Sequence, residues 1–187
     1  SIARSARGIL LQLSPYIAAG IEKEKFTKVQ ISMLVYGLGV LQFRERRLMH
    51  GVSHVAESAS QLRGLSPTGI SYLVHGMRRL GISDFYSLQP LTDFILKELG
   101  LGVFSDVEIA SLLMSAVQMR WKNEGLDQAL AKEACRWQRL RDYSPRTFSS
   151  VCLSLGKLGY TCLTDVNRLV NFIKSFDRLQ LLDSQGV

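Results

Sequence analysis

The residues of this chain whose side chains could bind a ligand are basic, amide, hydroxyl and aromatic residues on predicted helix surfaces. Basic and polar groups can donate hydrogen bonds to phosphates, and an aromatic ring can stack on an unpaired base. The candidate RNA-binding residues are Gln30, Arg44, Arg46, Arg47, Tyr72, Arg79, Gln118, Lys122, Arg136, Arg139, Arg146, Ser150 and Lys157. We expect bases to stack on Tyr72, with phosphates against Arg79, Lys122 and Lys157. A plain solvated surface would carry the same residue types, and charge alone leaves the two interpretations even.

Motifs for catalysis or metal binding are not evident. The sequence has no Gly-rich phosphate loop, no HExxH, no GxSxG and no paired-cysteine metal site. His50 and His54 have the spacing of two ligands on a helix, but without a third ligand two surface histidines are the simpler interpretation. The three cysteines, Cys135, Cys152 and Cys162, are scattered, which fits structural thiols in a reducing compartment. We therefore predict a protein that is not an enzyme and has no metal or cofactor.

A helix start repeats along the chain and must position the candidate residues. Hydroxyl residues suited to capping a helix recur with a constant step of 39 (66 − 27, 105 − 66 and 144 − 105), at Thr27, Ser66, Ser105 and Ser144. Each is preceded by an apolar residue and followed four places later by another, which is the spacing of a hydrophobic staple. A fixed period of this size is typical of solenoids and arrays. We predict four helices that begin after these residues and call them the capped helices.

The capped helices share a pattern of core and small positions. In the second one, Leu73, Val74, Met77 and Leu80 fall on one arc at helical spacing, which predicts a buried stripe. The sixth residue after the first core residue is always small, and the four copies are Gly37, Gly76, Ser115 and Ser154. Because Gly inside a helix costs roughly 1 kcal/mol relative to Ala, we expect close approach there, by an adjacent repeat or by the backbone of a ligand.

The segments between the capped helices predict a second helix in each repeat. We place these helices near 48–62, from 84, near 126–141 and from 165, and residues 1–26 as the second helix of a preceding partial repeat. The expected fold is all-α, an α-solenoid of helical hairpins with about four and a half repeats. The expected repeats, which form one continuous domain, are 27–65, 66–104, 105–143 and 144–187. Neither end shows a polar capping repeat, so we expect more of the solenoid, or a partner, to cover the ends.

Composition limits the classes of protein to which the chain can belong. It has 187 residues, of which 47% are hydrophobic, enough for a substantial core. A helix that spans a bilayer needs about 20 consecutive apolar residues, and every apolar run of the chain is shorter, so we expect no membrane insertion. The formal charge of +7 favours a polyanionic partner. Arg4 and Arg7, with no acid before Glu22, fit a transit peptide, and an ordinary basic helix end explains them equally well.

Two phrases at the ends of capped helices carry a family resemblance. Residues 73–82 and 151–160 resemble a recurring line of organellar RNA-binding helical-repeat proteins: the FASTK-like and RAP-associated repeats, the heptatricopeptide repeats, and more distantly the octotricopeptide and pentatricopeptide families. The resemblance implies a mitochondrial protein, or a plastid one, that binds RNA through the surface of the first helix of each repeat. The period of 39 is longer than that of those families and no RAP domain is visible, so no nucleotide code or nuclease activity is transferred.

The sequence therefore favours an RNA-binding helical-repeat protein of an organelle. Its expected partners are rRNA or an organellar transcript and neighbouring proteins of a large complex, with no small-molecule substrate. A structural component of the mitochondrial ribosome and a transcript-stability factor both fit. Two alternatives remain: a protein–protein scaffold whose same surface holds a peptide, and a subunit of a membrane-associated organellar complex with no role in RNA binding. All three could use the same solenoid, and a fold does not decide a function.

Overall fold

The computed structural model describes residues 2–121 and 123–175, which confirm the all-α prediction: eleven α-helices are present and these ranges contain no β-strand. The helices are α1 (Ile2–Glu22), α2 (Lys28–Val40), α3 (Arg46–Glu57), α4 (Ala59–Leu62), α5 (Pro67–Leu80), α6 (Phe85–Asp93), α7 (Asp106–Met119), α8 (Glu124–Ala134), α9 (Trp137–Asp142), α10 (Pro145–Leu158) and α11 (Leu163–Ser175). A π-helical segment, Phe94–Leu99, continues α6, and a 3-10 turn, Leu101–Val103, precedes α7. Within the described ranges, no helix has both the length and the apolar character that crossing a membrane requires.

The four predicted N-caps are confirmed. The capped helices are α2, α5, α7 and α10, which begin at residues 28, 67, 106 and 145, one repeat period apart in each case. Each cap hydroxyl accepts a hydrogen bond from the backbone N–H three residues later, at 3.1 to 3.4 Å. This bond satisfies one of the donors that every helix start leaves without an intrahelical partner. The hydroxyl spacing therefore placed four helix starts correctly.

Helix α1 continues through Pro15, which has no N–H to donate to the carbonyl of Leu11. The neighbouring side chain replaces the missing bond, because Ser14 Oγ donates to Leu11 O at 3.0 Å. Pro15 itself is exposed, so its ring does not disturb the packing. The helix therefore accommodates this proline locally.

Several predicted boundaries differ from the structure. The sequence pattern predicts that α2 runs from about 28 to 43, but the helix ends at Val40 and Gln42 adopts a positive φ of 50°. Phe43 lies beyond the helix and is buried. The predicted helix 48–62 is two helices separated at Ser58, whose backbone is extended. The predicted helix 126–141 is also broken, at Cys135 and Arg136. Residues on both sides of each break are buried, such as Ala56 and Leu62 around the first and Ala134 and Leu140 around the second.

The chain forms two compact units, unit 1 (Ser1–Leu99) and unit 2 (Gly100–Val187). In unit 1, α1 packs on α3 and α3 on α6, while the two capped helices α2 and α5 pack on each other. In unit 2, the capped helices α7 and α10 pack on each other, α8 packs on both of them, and α9 packs on α11. Within each unit, helices one period apart are therefore neighbours.

Close approach at the small position is present in α5. An added Cβ at Gly76 would lie 2.7 Å from the carbonyl carbon of Val35 and 2.8 Å from Val35 Cγ1, both in α2. The two backbones also meet at Gly39, where an added Cβ would lie 2.8 Å from Gly76 Cα. At Gly37, one period before Gly76, a Cβ would meet nothing within 4 Å. An adjacent helix therefore explains Gly76, and the same position in α2 has no such constraint.

Candidate nucleic-acid interface

Two exposed tyrosines form a ring pair across α2 and α5. The ring centroids of Tyr36 and Tyr72 lie 4.9 Å apart with an interplanar angle of 39°, and the His75 ring lies 5.3 Å from that of Tyr36. The tyrosines are 37% and 39% exposed, although aromatic residues in contact are commonly buried. The close packing of α2 on α5 brings these rings together. The pair therefore offers aromatic surface to a ligand without a further rearrangement of the helices.

Two arginines continue this surface towards the carboxyl ends of the same helices. Arg79 Nε donates to Gly39 O at 3.1 Å, and Arg44 Nη2 donates to Arg79 O at 3.1 Å. These bonds satisfy carbonyls at the ends of α2 and α5, where a positive charge is favourable. Neither arginine forms an ion pair within the described part of the chain. We define the Tyr–Arg patch as Tyr36, Tyr72, His75, Arg44 and Arg79.

The positive charge of the chain is concentrated in the unit that carries the Tyr–Arg patch. Unit 1 contains 12 Lys or Arg and 7 Asp or Glu, a net charge of +5 (12 − 7), whereas unit 2 contains 11 and 9, a net charge of +2 (11 − 9). Arg46 and Arg47 lie in the first turn of α3 and are exposed, as is Arg44 shortly before them. Unit 1 therefore presents three exposed arginines close together in sequence, and one of them, Arg44, belongs to the Tyr–Arg patch.

The charged neighbours of His75 disfavour its protonated form. Burial lowers the pKa of His75 below its usual value of about 6.5, and the positive charges of Arg78 and Arg79 lower it further. The ring lies within hydrogen-bonding distance of Arg78 Nη2, at 3.4 Å from Nδ1. At neutral pH the imidazole is therefore neutral and contributes an aromatic face to the Tyr–Arg patch.

This pKa predicts that acid weakens unit 1. Because the folded pKa of His75 is lower than the unfolded one, the unfolded chain binds the proton more readily, so stability falls as the pH drops through about 6.5. We expect the urea midpoint of the wild type to fall more between pH 7.5 and 5.5 than that of His75→Gln. His54→Gln, which removes an exposed histidine of α3, is the control. Equal midpoint changes in the wild type and His75→Gln would contradict the assignment.

Gln30 has a structural role in addition to its exposed position. Its Oε1 accepts a hydrogen bond from the backbone N–H of Thr27 at 2.9 Å, while Thr27 Oγ1 accepts from the N–H of Gln30. This reciprocal pair is a capping box. The carbonyl end of the Gln30 side chain is therefore occupied at the start of α2, and Gln30 is a weaker candidate for an RNA contact than the sequence suggested.

Unit 2 brings together fewer of the predicted residues. Gln118 in α7 and Lys157 in α10 are exposed and occupy the same repeat position on two helices that pack together. Ser150 is half-buried on α10, and Arg146 is exposed in the first turn of that helix. Lys122 lies outside the described residues. The position that Tyr72 occupies in unit 1 is serine in both capped helices of unit 2, so those two positions carry no aromatic ring.

The structure corrects the prediction that Arg139 is an RNA-binding residue, because its guanidinium is bound to two carboxylates of the protein. It is only 8% exposed, and it forms ion pairs with Asp106 (Nη1 to Oδ1, 2.8 Å) and Glu133 (Nη2 to Oε1, 2.8 Å). Burial alone would lower its pKa, but the hydrogen bonds to Glu133 and Asp106 outweigh burial and raise it. Arg136 is exposed and pairs with the same Glu133 at 3.2 Å. Arg139 is therefore a structural residue of unit 2 and not a free phosphate ligand.

Sequence reasoning missed Tyr36, which completes the aromatic pair. Tyr36 and His75 are one repeat period apart (75 − 36 = 39), so a comparison of the two copies at this position would have shown a ring in each. Tyr36 comes six residues after Gln30, about 240° around the helix, so it falls outside the side of α2 that carries the predicted residue Gln30. The glycine contact between α2 and α5 brings the two helices close together, and Tyr36 remains exposed at their junction.

The cysteines and histidines do not form a second site. Cys135 is buried, Cys152 half-buried and Cys162 exposed, and all three are free thiols. Burial raises the pKa of Cys135 to about 12, so its thiol is protonated and unreactive at neutral pH. Within residues 2–121 and 123–175, no group of three or more His, Cys, Asp or Glu side chains could hold a metal ion. His50 and His54 are exposed on α3.

Comparison with known proteins does not assign the chain to a group. No family model, curated protein or solved structure matches it. The resemblance of residues 73–82 and 151–160 to organellar helical-repeat proteins therefore stays an expectation from sequence. A function has to be inferred from the Tyr–Arg patch and from the charges around it.

Proposed function

We propose that this protein binds single-stranded RNA through the Tyr–Arg patch of unit 1. The observation that carries the proposal is the exposed pair Tyr36 and Tyr72 beside two arginines, Arg44 and Arg79, that lack a carboxylate partner in the described residues. Aromatic platforms next to cations are the usual means by which proteins bind single strands. The net charge of +5 on unit 1 adds a long-range attraction for phosphates.

The aromatic side of the patch favours unpaired bases over a duplex. The bases of an RNA duplex are stacked on each other, whereas unpaired bases can stack on a protein ring. Tyr36 and Tyr72 are already in contact, so the protein loses little conformational entropy when a base stacks on them. His75, neutral at pH 7, extends the same surface along α5.

The arginine side of the patch supplies phosphate contacts. Guanidinium groups bind phosphate oxygens with more than one N–H, which gives geometry as well as charge. One N–H of Arg79 and one of Arg44 hold a helix carbonyl, which fixes both side chains while keeping their positive charge. Arg46 and Arg47 lie next in the chain and are exposed, so they can continue the phosphate path.

The proposal extends to architecture and setting. We infer that the capped helices and their partners are hairpins of one α-solenoid with a constant repeat period, which the side-by-side packing of helices one period apart within each unit supports. An organellar location, with mitochondrial ribosomal RNA or an organellar transcript as the partner, follows from the family resemblance. We propose the organellar location because of that resemblance.

The experiment is a titration of fluorescent single-stranded RNA, followed by anisotropy. We expect Tyr36→Leu with Tyr72→Leu to weaken binding about 5- to 150-fold, since stacking contributes about 1 to 3 kcal/mol per base. Arg44→Gln with Arg79→Gln should lower the slope of log K against log salt by about 1.4, since each lost phosphate contact removes about 0.7 for a single strand. Circular dichroism checks that each variant keeps its helices.

Two matched controls locate the effect. Tyr16→Leu removes an exposed tyrosine of α1, and Arg63→Gln removes an exposed arginine that pairs with Glu98, so both change unit 1 outside the Tyr–Arg patch. We expect both to bind RNA like the wild type. Salt-dependent binding that the patch variants leave unchanged would contradict this surface but not RNA binding. No binding at low salt would contradict both.

One observation favours a protein–protein scaffold as a second candidate. Met33, Val40 and Leu41 are exposed apolar side chains on α2 and its C-cap, close in sequence to Tyr36. A peptide ligand would cover them, whereas RNA would leave them in water. Binding of a protein partner that is insensitive to salt and to ribonuclease, and that Met33→Ser weakens, would favour the scaffold.

A further inference from the structure

Helix α1 has an apolar face that the described residues of unit 1 leave exposed. Ile9, Leu13 and Tyr16 are spaced i, i+4 and i+7, so they lie on one side of the helix, and they are 57%, 46% and 77% exposed. The side of α1 that faces its neighbour is different: Ala18 and Ile21 are buried, and an added Cβ at Gly51 of α3 would lie 3.4 Å from Ile21 Cγ2. Helix α1 is therefore apolar on two sides, one packed and one open.

The open side has a covered counterpart in the next repeat. The residues one repeat period after Ile9, Leu13 and Tyr16 are Leu48, Val52 and Val55 of α3, which are 0%, 0% and 1% exposed. Gly51 lies on the same side of α3, since it comes three residues after Leu48 and four before Val55. An added Cβ there would meet Ile21 of α1. Helix α3 therefore buries the three apolar positions whose equivalents in α1 remain exposed.

We propose that the Ile9–Leu13–Tyr16 face binds an apolar α-helix of a partner protein, which covers α1 as α1 covers α3. The required partner chemistry follows from that contact. The buried side of α1, whose Ile21 lies against Gly51 of α3, combines this branched aliphatic residue with two small residues, Ser14 and Ala18. A helix with small residues and one aliphatic side chain per two turns fits this role. The proposal is independent of RNA binding.

The charge distribution of α1 favours a protein helix over a lipid surface. Between residues 7 and 21, Arg7 is the only charged residue. Helices that lie in a lipid interface carry many Lys and Arg on their polar face, which α1 lacks over this range. An exposed set of apolar side chains in helical register, without such a charged face, is the surface expected for helix–helix packing.

The test uses a labelled synthetic peptide of residues 7–25 as the probe helix, because this sequence covers the equivalent face of α3. We expect saturable binding of the peptide to the full chain, and a loss of at least tenfold in affinity when the chain carries Leu13→Glu. Leu13 is exposed, so circular dichroism should be unchanged. The control Leu153→Glu, an exposed leucine of α10, should bind the peptide normally. A peptide with Ile21→Asp should fail to bind the wild-type chain.

Other results overturn the proposal in distinguishable ways. No saturable binding, or equal loss with Leu13→Glu and Leu153→Glu, would show that the face has no helix partner of this chemistry. Self-association in sedimentation that Leu13→Glu abolishes would replace the partner helix with a second copy of the chain. Binding to phosphatidylcholine–phosphatidylglycerol vesicles that Leu13→Glu abolishes would replace it with a lipid surface.

Discussion

Gly76→Ala is expected to destabilise unit 1 by about 3 kcal/mol, at the upper end of the cost of overpacking a core. The added methyl would lie 2.7 Å from the carbonyl carbon of Val35 and would also approach Val35 O more closely than carbon atoms do in folded proteins. These are backbone atoms of α2, so no rotamer change can relieve the clash. Relief requires α2 and α5 to separate, which also opens the core that they share.

Gly37→Ala is the matched control, because it makes the same change one period earlier in α2. A Cβ at Gly37 meets nothing within 4 Å, and Ala is favoured over Gly inside a helix, so this variant should gain about 0.5 to 1 kcal/mol. Urea unfolding followed by circular dichroism gives both values. Hydrogen exchange of residues 28–40 and 67–80 should localise the loss in Gly76→Ala. Equal effects of the two variants would contradict the close helix contact.

The same contact links stability to the proposed function. Gly39 and Gly76 set the distance between α2 and α5, and that distance places the rings of Tyr36 and Tyr72 at 4.9 Å. A variant that separates the helices should therefore weaken RNA binding even where the fold survives. Gly37→Ala, which leaves the contact unchanged, should bind RNA like the wild type.

Arg139→Ala is expected to destabilise unit 2 by about 3 kcal/mol, the lower end of the cost of removing one partner from a buried ion pair. The variant leaves the carboxylates of Glu133 and Asp106 without their shared cation, and the Glu133 side chain is only 11% exposed. Asp106 is more accessible, so water compensates part of the loss. Both tryptophans of the chain, Trp121 and Trp137, belong to unit 2, so their fluorescence reports its unfolding.

Arg136→Ala is the control, since it removes an arginine that pairs with the same Glu133. Its side chain is 58% exposed, and exposed ion pairs contribute about 0 to 1 kcal/mol, so its effect should be small. If Arg136→Ala and Arg139→Ala lowered the free energy of unfolding equally, the ion pairs of Arg139 with Asp106 and Glu133 would not have the structural role assigned to them.

The starts of the capped helices followed from sequence because they depend on local chemistry. A hydroxyl residue with an apolar neighbour on one side and a helical pattern on the other satisfies its own helix end, whichever helix packs beside it. The ends of α5 and α10 also depend on local chemistry. Gly81 and Gly159 follow these helices and adopt positive φ, 78° and 66°, as C-terminal caps commonly do. The all-α class followed from the same local signals.

The candidate site followed from sequence only in part. Tyr72, Arg44 and Arg79 were predicted from their place on helix surfaces, and the structure brings them together in unit 1. Tyr36 was missed, because an aromatic pair across two helices depends on how closely the helices approach. Arg139 was placed on the wrong kind of surface, because its charge is visible in the sequence but its two carboxylate partners are not.

The sequence by itself determined where the capped helices begin, that the chain is helical and that its charge is positive. These properties depend on residues a few places apart or on composition, so no tertiary contact is needed to decide them. Tertiary structure alone decided which of Gly37 and Gly76 touches a neighbouring backbone and which of Arg136 and Arg139 is buried. In each of these two pairs, the residues are of the same type but differ in their packing, because the packing partner comes from a distant part of the chain.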